Sequence, residues 1–146
     1  MERKYVLVIN PGSTSTKVAL YDQEFEVKSN KLEHSQDELA KYNSVLDQYE
    51  YRLNLINNWL KKENIQTSSL KAVVGRGGLL RPIPGGTYLV TDKMLEDLRL
   101  GIGGEHAANL GGILARGIAD KENINSYIVD PVSVDEFEEV ARISGL

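Results

Sequence analysis

The sequence predicts a mixed α/β fold, in which an antiparallel meander of three strands is extended by two parallel strands and flanked by helices. Three observations predict this fold. Two aliphatic, β-branched runs enclose a Pro-Gly turn near the start of the chain, a long amphipathic segment without glycine or proline follows, and two further apolar runs each precede a helical pattern. With 146 residues, the chain fits one domain that buries roughly 68–70% of its unfolded surface.

The predicted meander comes first. Residues 6–9 and 18–21 form its first two strands, because both runs are rich in β-branched and aliphatic side chains and Pro11-Gly12 between them is a strong turn signal. Residues 24–35 alternate imperfectly between apolar and charged side chains, which indicates a third, partly solvated strand.

A long amphipathic helix is predicted over residues 37–63, with Asp37 as its N-cap. The segment contains no glycine or proline, and its apolar residues recur at spacings of three and four. These residues are Leu39, Tyr42, Leu46, Tyr49, Leu53, Ile56 and Leu60.

The rest of the chain alternates between strands, helices and a loop with unusually many glycines and prolines, as functional loops often have. The predicted elements are a strand at 70–74 stopped by Gly75, the loop at 75–86, an extended piece at 87–90, a helix at 93–100 capped by Thr91-Asp92, a helix at 105–117, a strand at 124–129, and a helix at 134–143 capped by Ser133. This order is the layout of a ribonuclease-H-like core with a mixed five-stranded sheet, an assignment made by analogy.

Composition excludes several classes of function. There is no cysteine, so neither disulfides nor thiolate metal sites are present. The net charge is -4, the wrong sign for an electrostatic grip on nucleic acid, and a small anionic substrate would need local positive groups. The first apolar run is too short for a signal peptide or a membrane span, so we expect a cytoplasmic protein that binds neither membrane nor nucleic acid.

The first turn carries the residue types that bind phosphate. Asn10, Gly12, Ser13 and Ser15 offer amide, hydroxyl and backbone donors, and Lys17 adds a compact positive charge. The G-x-x-x-x-G-K-[ST] pattern of a P-loop is absent, and the chain continues as a strand. An ordinary hairpin turn rich in serine and threonine is the alternative interpretation.

Arg76 and Asp130 each follow a predicted buried strand, at the edge where open α/β sheets bind ligands. Arg76 is flanked by glycines and can clamp an anion with its planar fork, although a flexible turn with a solvated arginine is equally compatible. Asp130 suits Mg²⁺, which takes carboxylates together with substrate phosphates, although such an Asp also caps turns. We expect Arg76, Asp130 and the first turn to share one crevice.

The chain has two histidines. His106 and Asn109 are placed on one face of the predicted helix near its N-terminus, where an anion is favoured, although a packed histidine behind a capping Glu105 is the alternative. His34 lies in the solvated third strand, and no role is assigned to it.

Four motifs in order resemble the acetate/butyrate kinase family, within the superfamily of acetate and sugar kinases, Hsp70 and actin. They are Asn-Pro-Gly-Ser-Thr-Ser-Thr-Lys at 10–17, Val-Val-Gly-Arg-Gly-Gly-Leu-Leu-Arg-Pro at 73–82, Gly-Gly-Glu-His-Ala-Ala-Asn-Leu-Gly at 103–111 and Val-Asp-Pro-Val at 129–132. Pro11 and the alternating Ser-Thr pattern resemble the butyrate kinase branch more closely than the acetate kinases.

The resemblance implies an actin-like ATPase domain and reversible phosphoryl transfer from ATP, with Mg²⁺, to a short-chain carboxylate such as butyrate, giving an acyl phosphate. It implies that Asn10, Gly12, Ser13, Ser15 and Lys17 bind phosphate. It further implies that Arg76 holds the carboxylate and the migrating phosphoryl group, that His106 is a ligand-facing donor, and that Asp130 positions Mg²⁺.

Members of this family are much longer than 146 residues, and a second domain completes their nucleotide site. We therefore expect residues 1–146 to be a single N-terminal domain with little kinase activity alone, and the whole protein to be a homo-oligomer. Two alternatives stay open: another small-molecule kinase or ATPase of the same superfamily, and a standalone module that binds a phosphorylated ligand or a partner without turnover.

Overall fold

A computed structural model describes residues 2–76, 87–101 and 106–129. Its strands are β1 (Tyr5–Pro11), β2 (Ser15–Asp22), β3 (Phe25–Glu33), β4 (Leu70–Arg76), β5 (Thr87–Leu89) and β6 (Asn125–Val129). Its helices are α1 (Gln36–Leu39), α2 (Tyr49–Lys62), α3 (Asp92–Leu100) and α4 (Leu110–Glu122), with short 3₁₀ helices at Leu46–Gln48, Thr67–Ser69 and Ala107–Asn109.

The described strands form one mixed sheet in the order β3-β2-β1-β4-β6-β5. Strands β1, β2 and β3 are the antiparallel meander, and β4 and β6 continue the sheet parallel to β1. The predicted fold class is confirmed. The predicted extended piece at 87–90 adds a sixth strand to the five expected, since β5 pairs antiparallel with β6 at the sheet edge.

The two faces of the sheet carry different side chains because neighbouring residues of a strand point to opposite faces. Leu7 and Ile9 of β1 belong to the main core, which also contains buried residues of α2, α3 and α4. Val6 of β1 belongs to a smaller cluster on the other face, against which Val8 packs. By the same alternation, Asn10 lies on the face of Val6 and Val8.

The predicted long helix over 37–63 is wrong in part, because the chain forms α1, a 3₁₀ turn and then α2 over this stretch. Ser35 is the N-cap of α1 in place of Asp37, since its Oγ accepts a hydrogen bond of 3.1 Å from the Glu38 N–H. Ser44 Oγ similarly accepts from the Asp47 N–H at 3.4 Å. Serine and asparagine favour such local bonds over a continuous helix.

Gly75 does not stop β4, which continues to Arg76. A Cβ atom at Gly75 would clash with the backbone of Gly111, so glycine is required where β4 meets the start of α4. Helix α4 runs over Leu110–Glu122, later than the predicted 105–117.

The helix predicted at 93–100 is confirmed as α3, with the Thr91 side chain accepting from the Met94 N–H at 3.2 Å. The strand predicted at 124–129 is confirmed as β6. The helix predicted at 134–143 and its Ser133 cap lie outside the described residues. None of the described helices has both the length and the apolar composition needed to cross a membrane.

Candidate functional site

A groove of about 330 Å³ extends across the sheet from β3 over β2 and β1 to Arg76 at the end of β4, and Asn10, Lys17 and Arg76 all line it. The strand register explains why these three residues meet. Asn10 pairs with Lys17 across β1 and β2, and Ile9 pairs with Gly75 across β1 and β4, so Arg76 neighbours Asn10. The structure therefore brings the first predicted turn and the predicted arginine to one site.

The groove is locally positive although the chain as a whole carries a net charge of -4. Among the described residues that line it, Lys17, Lys31 and Arg76 are positive and Glu26 is the one carboxylate. Its remaining lining residues are Val8, Val18, Ala19, Tyr21, Ser29 and Asn30. Two amides, two ammonium groups and a guanidinium are hydrogen-bond donors, and such a set suits carboxylate or phosphoryl oxygens.

The turn between β1 and β2 is closed by its own backbone. The Gly12 N–H donates to the Ser15 carbonyl at 2.7 Å, and the His34 N–H donates to the Thr14 carbonyl at 2.9 Å. Ser13 is exposed, whereas Ser15 is 8% exposed. The predicted phosphate-binding residues thus divide into those open to a ligand, Asn10, Ser13 and Lys17, and those that shape the turn.

Behind the turn, on the face that α2 covers, lies a buried polar cluster of Thr16, His34, Tyr51 and Arg52. Arg52 Nη1 donates to Thr16 Oγ1 at 3.0 Å and to the Ser15 carbonyl at 3.2 Å. Thr16 Oγ1 lies 2.8 Å from His34 Nε2, and His34 Nδ1 lies 3.2 Å from the Tyr51 hydroxyl. Thr16 and Arg52 are fully buried.

This buried polar cluster was not predicted from the sequence, and the prediction that His34 lies in a solvated strand is wrong. His34 directly follows β3 and is 4% exposed. Burial, reinforced by the charge of Arg52, lowers the pKa of His34 from 6.5 to about 4, so its ring is neutral at physiological pH. The sequence did contain an indication of this cluster, because Arg52 lies on the apolar stripe of α2, four residues before Ile56.

The prediction that His106 and Asn109 share a helix face is wrong. His106 is exposed, has an extended backbone and precedes the 3₁₀ turn, whereas Asn109 is the N-cap residue of α4 and is buried. His106 is not among the described residues that line the groove. The helix begins late because residues 107–109 form the tighter 3₁₀ turn that often opens an α-helix.

Asp130 lies outside the described residues, so its place in the crevice stays a prediction. Its neighbour Val129 pairs with Arg76 across β4 and β6. Within residues 2–76, 87–101 and 106–129, no three His, Asp or Glu side chains form a group that could hold a metal ion. The donors of the groove suit an anion, and Asp130 stays the carboxylate predicted for Mg²⁺.

Comparison with known proteins identifies close relatives by sequence. The chain is 58% identical over 141 residues to butyrate kinase 1 of Clostridium acetobutylicum, and 56% identical over 141 residues to probable butyrate kinase 2 of Caldanaerobacter subterraneus subsp. tengcongensis. Each match covers 97% of this chain and 40% of the relative, so the chain spans about 40% of the length of these curated relatives. No protein-family model matches the chain.

The solved structure of Porphyromonas gingivalis acetate kinase is similar in fold. It superposes with a TM-score of 0.56 at 17% sequence identity, over 87% of this chain and 37% of the acetate kinase. At this identity the similarity shows the fold alone. The described sheet and helices therefore correspond in fold to one part of the acetate kinase.

Proposed function

We propose that this chain is the part of a carboxylate kinase that binds the migrating phosphoryl group. The family resemblance of its motifs agrees with its sequence similarity to butyrate kinases over 97% of its length. The reaction is reversible phosphoryl transfer between ATP and a short-chain carboxylate such as butyrate, giving an acyl phosphate. The rest of the nucleotide site would come from the part of the relatives that this chain does not span.

The observation that carries this proposal is the meeting of Asn10, Lys17 and Arg76 in one groove. Phosphoryl transfer requires a cluster of donors and positive charges where the equatorial oxygens of the migrating group lie. Here these groups come from two neighbouring strands, β1 and β4, and from β2 across the hairpin. Donors carried by the strands of a sheet are held in fixed positions, which electrostatic catalysis requires.

The chemistry assigns different roles to these residues. The acceptor carboxylate is already ionised at neutral pH, so no general base is needed to activate it. Arg76 would align the carboxylate and stabilise charge on the transferring group, while Asn10, Ser13 and Lys17 would hold the phosphate oxygens of ATP. Gly12 and Ser15 would keep the turn closed through their backbone hydrogen bond.

Two further roles extend beyond the groove. Mg²⁺, when bound, would neutralise phosphate charge, and Asp130 is the proposed carboxylate for it. His106 is proposed as a donor to the ligand. Its side chain is exposed and lies outside the described groove lining.

A chimera tests the function directly. This chain would replace the matching 141 residues of Clostridium acetobutylicum butyrate kinase 1, and acyl phosphate formation from ATP and butyrate would be trapped with hydroxylamine. We expect the chimera to be active and the 146-residue chain alone to have little or no activity. A folded chimera without activity would contradict the proposed kinase function. Robust turnover by the 146-residue chain alone would contradict the proposal that the rest of the nucleotide site comes from the part of the relatives that this chain does not span.

Isothermal titration of the isolated chain separates a kinase part from a binding module of another kind. ATP with Mg²⁺, butyrate and butyryl phosphate are titrated separately. A kinase part should bind ATP with Mg²⁺ and butyryl phosphate through the groove. A module for some other phosphorylated ligand should ignore butyryl phosphate.

A further inference from the structure

Arg52 is a buried cation placed directly behind the turn that the proposed function assigns to phosphate. It is 0% exposed and is among the largest fully buried side chains of the described residues. Its Nη1 donates to the Ser15 carbonyl and to Thr16 Oγ1. Both acceptors lie between Gly12 and Lys17 in the chain, and the Thr16 side chain points to the face opposite to that of Lys17.

The charge of Arg52 is held by neutral acceptors. Its Nε and Nη2 both donate to Gln48 Oε1, at 3.1 and 2.8 Å, and its Nη1 donates to a carbonyl and a hydroxyl. None of these described hydrogen bonds ends on a carboxylate. Burial lowers the pKa of Arg52, yet a guanidinium stays protonated in proteins.

Such an arrangement is costly for stability alone. Taking a guanidinium out of water carries a penalty of several kcal/mol, and an apolar side chain of similar volume often serves a fold equally well. A charge whose field is not cancelled locally acts further in a poorly screened interior than on a surface. The hairpin turn that the proposed function assigns to phosphate lies directly against this charge, because Arg52 contacts both Ser15 and Thr16.

We propose that Arg52 is a positioning residue for the phosphate-binding hairpin, which holds the turn closed from its buried side and places behind the bound phosphate a positive charge that none of its described hydrogen-bond partners neutralises. This inference rests on the proposed function. The Ser15 carbonyl receives both the Gly12 N–H and the Arg52 guanidinium, so Arg52 fixes the bond that closes the turn. Thr16 extends this hold to His34 and through it to β3.

The decisive variant is Gln48→Glu. A glutamate can accept both Arg52 hydrogen bonds as Gln48 does, so it preserves the geometry while it cancels the charge. A purely structural role for Arg52 predicts unchanged or tighter phosphate binding. The proposed role predicts that the affinity of the 146-residue chain for inorganic phosphate falls about three- to tenfold.

Arg52→Met and Arg52→Lys complete the series. Arg52→Met removes both the charge and the hydrogen bonds and should weaken phosphate binding by about tenfold or more, whereas Arg52→Lys keeps the charge and should stay within about threefold of the unmodified chain. Leu60→Ala is the matched control, since it makes a cavity on the same helix about two turns beyond Arg52 and should change affinity less than about twofold. Affinity would be followed from the NMR shifts of the backbone amides of residues 12–15.

The outcomes separate the inference from the function on which it rests. If the unmodified chain binds neither inorganic phosphate nor ATP with Mg²⁺, the proposed function and the inference both fail. If the unmodified chain binds and the Gln48→Glu chain binds equally well, only the inference is overturned. If Arg52→Met does not fold, Gln48→Glu and Arg52→Lys decide the question.

Discussion

The two faces of the first hairpin make opposite use of polar residues. On the groove face, Asn10 and Lys17 leave their donors open to a ligand. On the buried face, the Thr16 hydroxyl is hydrogen-bonded to Arg52 and His34, so its partners lie within the protein. One turn of chain thus serves two needs, because alternate residues of a strand point in opposite directions. Substitutions on the groove face are expected to change activity, and substitutions on the buried face are expected to change the free energy of unfolding.

The largest expected effect is on the groove face. Arg76→Ala in the chimera should lower kcat by about 10²–10³, the effect of removing one donor to a developing oxyanion, with little change in the free energy of unfolding. Arg99→Ala is the control, because Arg99 is exposed on α3 and does not line the groove. Near-normal kcat in a folded Arg76→Ala chimera would remove Arg76 from the transition state.

The next effect is a pH dependence of stability on the buried face. The pKa of His34 is about 4 in the folded chain and 6.5 when unfolded, so the unfolded state binds more protons between these values. The contribution is complete above pH 6.5 and is lost as the pH falls to 4, with a total on the order of 3 kcal/mol. Urea unfolding of the 146-residue chain from pH 7 to pH 4 measures this loss.

His34→Gln is the variant that tests this pH dependence. Gln keeps hydrogen-bonding capacity but does not titrate, so the part of the slope due to His34 should disappear between pH 4 and 6.5. An identical slope in both proteins would mean that His34 keeps its ordinary pKa in the folded chain.

The smallest effect comes from a matched pair across the two faces. Thr16→Val preserves the shape of the side chain but removes the oxygen that Arg52 and His34 share, and should lower the free energy of unfolding by about 1–3 kcal/mol. Ser13→Ala, on the exposed tip of the same turn, should change it by less than about 0.5 kcal/mol. Chemical denaturation compares the two, and equal losses would contradict the division between the faces.

The strands were predictable from sequence, and the helix boundaries were less so. Alternation and the Pro11-Gly12 turn suffice for β1 and β2, since both signals are local. The break between α1 and α2 depends on whether Ser35 and Ser44 cap new turns or lie within one helix. The spacing of apolar residues does not distinguish these two structures. The continuation of β4 through Gly75 depends on the backbone of Gly111, which is distant in sequence.

The groove was predictable and the cluster behind it was not. Asn10, Lys17 and Arg76 stand in recognisable motifs at strand ends, so their meeting follows from the parallel pairing of β1 and β4. His34 follows an exposed strand, and its burial depends on the packing of α2, whose Tyr51 contacts the His34 ring. Arg52 on an apolar stripe was the signal, because a charged residue there must find partners in the core.

The contact between Gly75 and Gly111 has a mechanical consequence. A Cβ atom at Gly111 would lie 2.7 Å from the Arg76 carbonyl oxygen, so the main chains of β4 and α4 touch without side chains between them. No rotamer change can absorb a shift at this junction. We therefore expect a displacement of the main chain at Arg76 to be passed directly to the first turn of α4, because no side chain lies between the two backbones to absorb it.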